Sequence, residues 1–304
     1  MQDTKPSGVY GTPPGELADV PAGAIQFSPL IPGSGSLERQ EDGSLARMVV
    51  LAPPGTVERR YTVALALRAL APGGSLTVLA PKDKGGSRIR KELNGFGCDV
   101  AETSRRHHRI CTGARPARPV GLEDALAEGS PRVDDALGLW TWPGVFSWNR
   151  LDPGSALLEQ TLPSLSGRGA DFGCGIGILA RTVLASPAVE RLTLIDIDRR
   201  AVDMARRNVE EPRTEVRWAD IRSGLDLKGL DFVVMNPPFH DGGAEDQSLG
   251  QAFIRRAAEA LRPGGVLWLV ANRHLPYEAV LKSLFKRVTP KVEANGYKIY
   301  EAAR

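Results

Sequence analysis

Two distant stretches of this chain are written nearly alike. ALRALAPGGSLTVLA at residues 66–80 and AAEALRPGGVLWLVA at residues 257–271 agree at eight of fifteen positions. Each runs from helical spacing through Pro-Gly-Gly into an apolar strand, because proline and glycine together stop a helix. Ahead of each lies a short apolar run that ends in Pro-Pro: Met48-Val49-Val50-Leu51 before Ala52-Pro53-Pro54, and Phe232-Val233-Val234-Met235 before Asn236-Pro237-Pro238-Phe239. Further on, Arg109-Ile110 falls where Lys298-Ile299 does. The same grammar twice is an internal duplication, and strand–helix–strand in this order is the grammar of a parallel α/β sheet. The fold class expected is therefore α/β, with two Rossmann-like domains in tandem, and 304 residues suit two domains of ordinary size.

The expected boundaries are a Pro/Gly-rich N-terminal segment at 1–45, a first domain at 46–140 and a second at 141–304. The opening segment shows no clear apolar period and reads as an extended arm, with a short strand near residues 24–27 at most. The copies differ where chemistry would reside. The second has a glycine-rich turn and an Asn before its Pro-Pro; the first has Ala52 there and no such turn upstream. The first copy thus reads as a degenerate one that kept the fold and lost the reaction.

Gly169-Ala170-Asp171-Phe172-Gly173-Cys174-Gly175-Ile176-Gly177 is a strand, a glycine turn and a helix start. Glycines permit positive φ and let a ligand approach the backbone. Asp171 precedes the first glycine by two residues, where a carboxylate takes a cationic amine. Nineteen residues past Gly177, Asp196 ends the strand Leu192-Thr193-Leu194-Ile195, placed to hold both hydroxyls of a ribose. An acid before the glycines points away from a pyrophosphate and toward S-adenosylmethionine. Asp198 reads as the N-cap of a helix over residues 200–209 rather than a metal ligand; that helix buries Val202, Ala205 and Val209 and turns its arginines to water. No metal site is expected. Asp220, after a third strand, either accepts from an adenine amino group or closes a plain strand-end turn.

Two successive prolines donate no backbone hydrogen bonds, so Pro237-Pro238 makes a stiff corner beyond the sheet ladder, and the residue before them is held extended. This presents the Asn236 carboxamide and the Pro237 carbonyl as two acceptors for an NH2 group, with Phe239 available to stack on a flat ring. A conjugated amine whose hydrogens are accepted out of plane localises its lone pair and can attack a sulfonium methyl in line. His240 follows this corner and either touches substrate or occupies a loop.

Average hydrophobic content (42%) and charge (25%) rule out wholesale disorder. No apolar run approaches a membrane span, and the first twenty residues lack the apolar core of a secretory signal. Cys98, Cys111 and Cys174, without a C-x-x-C, make neither a disulfide framework nor a zinc site. A cytoplasmic protein, monomeric or weakly oligomeric, is expected. Residues 82–118 hold ten Lys/Arg against four Asp/Glu, with His107 and His108. Such a block suits a polyanion, or it is a solvated face.

With these motifs in hand, the chain resembles class I S-adenosylmethionine-dependent methyltransferases acting on a planar nitrogen. More closely, it is similar to the bacterial ribosomal RNA guanine-N2 methyltransferases with duplicated methyltransferase domains. The matching stretches are Pro143-Gly144-Val145-Phe146-Ser147, Leu151-Asp152-Pro153-Gly154-Ser155, Asn236-Pro237-Pro238-Phe239-His240-Asp241-Gly242 and Val270-Ala271-Asn272. His240-Asp241-Gly242 and Leu275-Pro276-Tyr277 resemble the small-subunit (RsmC-type) enzymes. The resemblance implies a seven-stranded sheet in the second domain with an antiparallel hairpin near residues 292–300, and methyl transfer from S-adenosylmethionine to the exocyclic N2 of a guanine in 16S ribosomal RNA. It implies cofactor binding by Gly173, Gly175, Gly177 and Asp196, with Phe146 and Ser147 nearby, and guanine seated by Asn236, Pro237 and Phe239, with Pro238 and His240 alongside. It also implies an N-terminal domain that helps bind RNA, and ribosomal RNA or the small subunit as partner. Large-subunit RNA as substrate, or a non-catalytic RNA-binding assembly factor, are the alternatives. Adenine N6, cytosine N4 and glutamine side chains are further amines such a corner can serve.

Overall fold

The computed structural model describes residues 5–238, 240–241, 244–245 and 247–304, with side chains left aside at 240, 241, 244, 245 and 247. The chain divides into two compact units, Met1–Pro131 and Arg132–Arg304.

The first unit contains β1 (Ser7–Tyr10), β2 (Ile25–Gln26), β3 (Leu45–Leu51), α1 (Thr56–Ala69), β4 (Leu70–Pro81), α2 (Ile89–Gly95), β5 (Val100–Arg105), β6 (His108–Ala114) and α3 (Leu122–Gly129). Its strands form one sheet in the order β2-β1-β3-β4-β6-β5. The first four run parallel, and β6 runs antiparallel to both β4 and β5. Met48, Val49 and Val50 are fully buried, as a strand covered on both faces must be.

The second unit contains β7 (Arg132–Asp134), β8 (Leu139–Thr141), α4 (Pro153–Thr161), β9 (Gly167–Phe172), α5 (Ile178–Leu184), β10 (Val189–Asp196), α6 (Arg199–Asn208), β11 (Thr214–Trp218), β12 (Leu230–Met235), β13 (His240–Asp241), β14 (Ala244–Glu245), α7 (Gln247–Ala260), β15 (Leu261–Asn272), α8 (Glu278–Leu284), β16 (Arg287–Ala294) and β17 (Tyr297–Ala303). Seven strands pair in the order β11-β10-β9-β12-β15-β17-β16. Only β17 runs against its two neighbours. The expected hairpin at 292–300 is β16–β17, turning at Asn295 and Gly296, both at positive φ.

The registers show the duplication strand by strand. β4 and β15 each span twelve residues and begin where the preceding helix ends. Leu45 pairs with Leu70, then a register shift brings Arg47 opposite Ser75; Leu230 pairs with Leu261, then Phe232 meets Val266. Ala80 faces Arg109 as Ala271 faces Lys298, as the repeat comparison predicted. The order β2-β1-β3-β4-β6-β5 is thus β10-β9-β12-β15-β17-β16 without a counterpart of β11.

Three expectations are corrected here. The segment 1–45 is not a separate arm, because it supplies β1 and β2, the counterparts of β9 and β10. These strands are too short to carry a period of their own; β1 exists by pairing on β3, and β2 by pairing on β1. The division also falls at 131/132 rather than 140/141. Residues 132–141 form the β7–β8 hairpin, whose Trp140 backbone is bonded in both directions to Asn208 of α6. The expectation that the arginines of α6 face water fails for Arg200, which is buried in a bidentate pair with Asp198 at 2.8–3.0 Å. Asp198 is the N-cap of α6, as expected. Among the described residues no helix is long and apolar enough to cross a membrane.

Arg59 of α1 is fully buried. Its guanidinium pairs with both oxygens of Glu92 at 2.7 and 2.8 Å and donates to the carbonyls of Pro53 and Pro54 at 3.3 and 2.7 Å. Removing one partner leaves the other charge buried without compensation. Arg59→Ala is expected to destabilise the first unit by about 3–5 kcal/mol in denaturant unfolding, whereas Arg59→Met combined with Glu92→Leu recovers most of that loss.

Candidate active site

Strands β10, β9 and β12 are parallel neighbours, so their C-terminal ends open on one edge of the sheet. Asp171 is the penultimate residue of β9 and is fully buried, and neither carboxylate oxygen has a hydrogen-bond partner. Burial, reinforced by the nearby Asp196 charge, pushes its carboxyl up to about 8. The chain then leaves the sheet through Gly173 (φ 78°), Gly175 (φ 54°) and Gly177 (φ 88°), the last being the N-cap of α5. The amides of Gly173 and Cys174 both donate to the carbonyl of Ile195, at 2.9 and 3.0 Å, which hangs the turn on the end of β10. A Cβ at Gly175 would meet nothing within 4 Å, so the turn faces open space.

Asp196 closes the turn from the other side. One carboxylate oxygen accepts from the amide of Gly175 at 2.8 Å and the other from the amide of Asp198 at 2.9 Å. Burial raises its carboxyl to about 6, opposed by these backbone bonds. A carboxylate has about four acceptor sites, so capacity remains for a hydroxyl. Asp220 is brought beside it, since the amide of Ala219 donates to the carbonyl of Asp196 at 3.0 Å. Its carboxylate is held by Arg222, through Nε and Nη2 at 2.9 Å, and caps the short turn that follows.

Asn236 follows β12, with Pro237 buried and Pro238 exposed. A Cβ placed on Gly173 would lie 4.0 Å from the Asn236 carbonyl, so the Pro-Pro corner and the glycine turn adjoin. The Asn236 carboxamide donates through Nδ2 to Asp152 at 2.8 Å and to Ser155 at 2.9 Å, on the first turn of α4. Phe239 lies outside the described residues, as does the side chain of His240. Phe146 and Ser147 sit on the loop leading to α4. Phe146 is exposed, and Ser147 (φ 60°) turns its hydroxyl to the carbonyl of Arg150.

Residue-type reasoning assigned no role to Asp152, Ser155 or Asn208. Asn208 donates at 2.8 and 2.9 Å to the carbonyls of Trp140 and Ile176, so it staples the β7–β8 hairpin to the glycine turn. The signal for Asp152 was present, since Asp-Pro opening an apolar helix is an N-cap followed by proline at N1; its second partner, 84 residues away, was not. Among the described residues no cluster of His, Cys, Asp and Glu could hold a metal ion.

The first unit lacks this constellation. By register, Val9 stands at the place of Asp171, and Leu51 at that of Asn236, where the sequence comparison had aligned Ala52. Counting on from the paired residues, Gly11 (φ 75°) matches Gly173, but Pro13 replaces Gly175 and Ser28 replaces Asp196. The carbonyls of its Pro-Pro corner are taken by Arg59.

A family model described as Methyltransferase small domain matches residues 136–301. The protein named Ribosomal RNA small subunit methyltransferase C from Pseudomonas paraeruginosa is 35% identical over 286 residues, covering 92% of this chain and 86% of that one. The protein of the same name from Shewanella loihica is 32% identical, covering 83% and 75%. A solved structure, the T. thermophilus 16S rRNA N2 G1207 methyltransferase (RsmC) in complex with AdoMet and guanosine, superposes with a TM-score of 0.73 at 26% identity, covering 93% of this chain and 77% of that chain.

The raised Asp171 carboxyl has a consequence for stability. The folded state holds this proton more tightly than the unfolded chain, so the contribution to stability falls as pH rises from about 4 to about 8 and then levels off. Asp171→Asn is expected to melt at a temperature higher than the parent at pH 8 by a few degrees or more, and near it at pH 4, in thermal unfolding without ligand.

Proposed function

On the footing that the chain belongs to the ribosomal RNA small subunit methyltransferase C family, we propose that it transfers a methyl group from S-adenosylmethionine to the exocyclic N2 of a guanine in 16S ribosomal RNA. The observation that carries this reading is the junction of the glycine turn, with the orphaned Asp171 carboxylate behind it, and the Asn236-Pro237 corner. A buried acid without a partner, beside a turn facing open space, fits a ligand bearing an ammonium group. Asp171 would take that ammonium, directly or through water. The Gly173–Gly177 backbone would lie along the ligand, and Asp196 would accept from both ribose hydroxyls. Asp220 stands one strand further on, at the adenine end. Bound there, S-adenosylmethionine supplies a methyl group made electrophilic by its positive sulfur.

The residues of this chain deal with the nucleophile. The N2 amine of guanine is conjugated with its ring and attacks poorly. Asn236 Oδ1 and the Pro237 carbonyl accept its two hydrogens, hold the nitrogen at the corner and favour localisation of the lone pair. The N–C bond forms as the C–S bond breaks, and the nitrogen then sheds a proton that has become acidic. No strong general base is required. Phe239 would stack on the base. Asn236→Ala is expected to lower kcat by roughly 100- to 1,000-fold while cofactor affinity stays within a few-fold; Asp196→Ala is expected to abolish cofactor binding. Labelled methyl transfer to undermethylated small subunits, followed by nucleoside analysis, reads the first, and calorimetry the second. N2-methylguanosine at the guanine corresponding to the T. thermophilus G1207 is the expected product; label only in large-subunit RNA would refute the substrate assignment.

The first unit is assigned the docking of RNA. Its β5–β6 hairpin turns through Arg106 (φ 44°) and His107 (φ 60°), where the duplicate has Asn295 and Gly296. Asn-Gly is the low-strain pair for such a turn, and non-glycine residues held there cost about 1–3 kcal/mol each. The strained turn puts Arg105, Arg106 and His107 on an exposed tip, and the Lys82 amide, bonded to the His107 carbonyl at 2.8 Å, draws another exposed cation to it. Lys82→Glu combined with Arg105→Glu is expected to weaken RNA binding roughly tenfold at 0.1 M salt and to flatten its salt dependence, leaving cofactor affinity unchanged.

A further inference from the structure

A carboxamide has a donor end and an acceptor end, and only one of the two orientations of Asn236 serves an incoming amine. Its Nδ2 gives one hydrogen to Asp152 Oδ2 at 2.8 Å and one to Ser155 Oγ at 2.9 Å. We propose that Asp152 and Ser155 are positioning residues that lock the Asn236 carboxamide with Nδ2 against α4 and Oδ1 toward the substrate amine. The inference rests on the guanine-N2 reading above.

A carboxylate only accepts, so rotating Asn236 by half a turn would set two acceptors against each other and strand both amide hydrogens. The network selects the orientation, and the choice does not depend on telling oxygen from nitrogen by any other means. Asp152 is itself held in place. It caps α4, its Oδ2 accepting the Ser155 amide at 2.8 Å, and Pro153 presets the first helical residue. Gly154 completes the fit. A Cβ there would come within 2.8 Å of the Tyr297 ring and 3.0 Å of Asp152 Oδ2, so any larger residue would push the first turn of α4 off β17 and loosen the lock. Ser155 is buried, which keeps water from substituting for its hydroxyl. The Leu-Asp-Pro-Gly-Ser motif therefore acts on the reaction through Asn236.

The test uses the full-length protein, undermethylated small subunits and labelled S-adenosylmethionine, with Asp152→Asn, Ser155→Ala and the swap Asp152→Asn/Asn236→Asp. Asparagine caps a helix about as well as aspartate, so Asp152→Asn is expected to keep the melting temperature and the cofactor Kd. Its kcat is expected to fall roughly ten- to a hundred-fold, the loss of a charge-assisted hydrogen bond. Ser155→Ala, which leaves the cap untouched, is expected to lose several-fold in kcat. In the swap, the amide introduced at 152 turns its Nδ2 to the carboxylate introduced at 236, whose other oxygen still accepts, and so gives up the Ser155 amide that Oδ2 caps in the parent; kcat should recover above that of Asp152→Asn alone although the helix loses its cap. A purely structural role for Asp152 predicts no such recovery. Parental kcat in Asp152→Asn overturns the lock, as does a swap no faster than the single variant. Should Asp152→Asn fail to fold, Ser155→Ala decides alone, unchanged kcat overturning the proposal. A parent protein that forms no N2-methylguanosine would refute the guanine reading instead.

Discussion

Three parallel strands that end together are the constraint on which the second unit depends. Parallel pairing aligns the carboxyl ends of β10, β9 and β12 on one edge, and the loops that leave those ends have nowhere else to converge. Asp196, the glycine turn and Asn236 become neighbours through this geometry, although 40 residues of chain separate the acid from the amide. The turn is then tied to β10 by two amides on one carbonyl and by Asp196 on Gly175. Tight fastening of that kind lets a backbone cradle a ligand without rearranging to do so.

The duplication supplies an internal control. Both units build the same ladder around a helix, a Pro-Gly-Gly bulge and an antiparallel return, so the frame does not require the chemistry. Where the second unit has Asp171, Gly175, Asp196 and Asn236, the first has Val9, Pro13, Ser28 and Leu51. An apolar strand end, a proline in the turn and a leucine stand where the second unit has its acid, its middle glycine and its carboxamide, and Arg59 closes the corner with its own hydrogen bonds. That unit also has a strained hairpin tip where its duplicate has Asn-Gly.

Buried charge is handled in two ways. Arg59–Glu92 and Arg200–Asp198 are closed pairs in which each guanidinium meets both carboxylate oxygens; such pairs order the fold. Asp171 is the opposite case, a carboxylate inside the protein with no partner for either oxygen. A group left in that state raises its pKa and destabilises the fold around it, and it persists where a bound cation can complete it.

Much of this was legible in the sequence because its signals are local or periodic. The repeat, the Gly-x-Gly-x-Gly turn, the acid nineteen residues beyond it and the Asn-Pro-Pro corner each follow from what neighbouring residues do to the backbone. These determined the α/β class, the tandem copies and the residues that gather at one edge of the second sheet. What the sequence could not display were contacts between residues far apart in the chain. β1 and β2, four and two residues long, have no pattern of their own; β1 forms because β3 offers it a ladder, and β2 because β1 does. Arg200 reads as a solvated helix charge until Asp198 folds against it, and Asp152 reads as a helix cap until α4 brings it to Asn236. Local backbone preference is written in adjacent residues, whereas the orientation of a side chain is settled by whichever distant groups the finished fold packs against it; for that reason the sequence determined which residues stand at the site, and only the tertiary structure decided which way Asn236 faces.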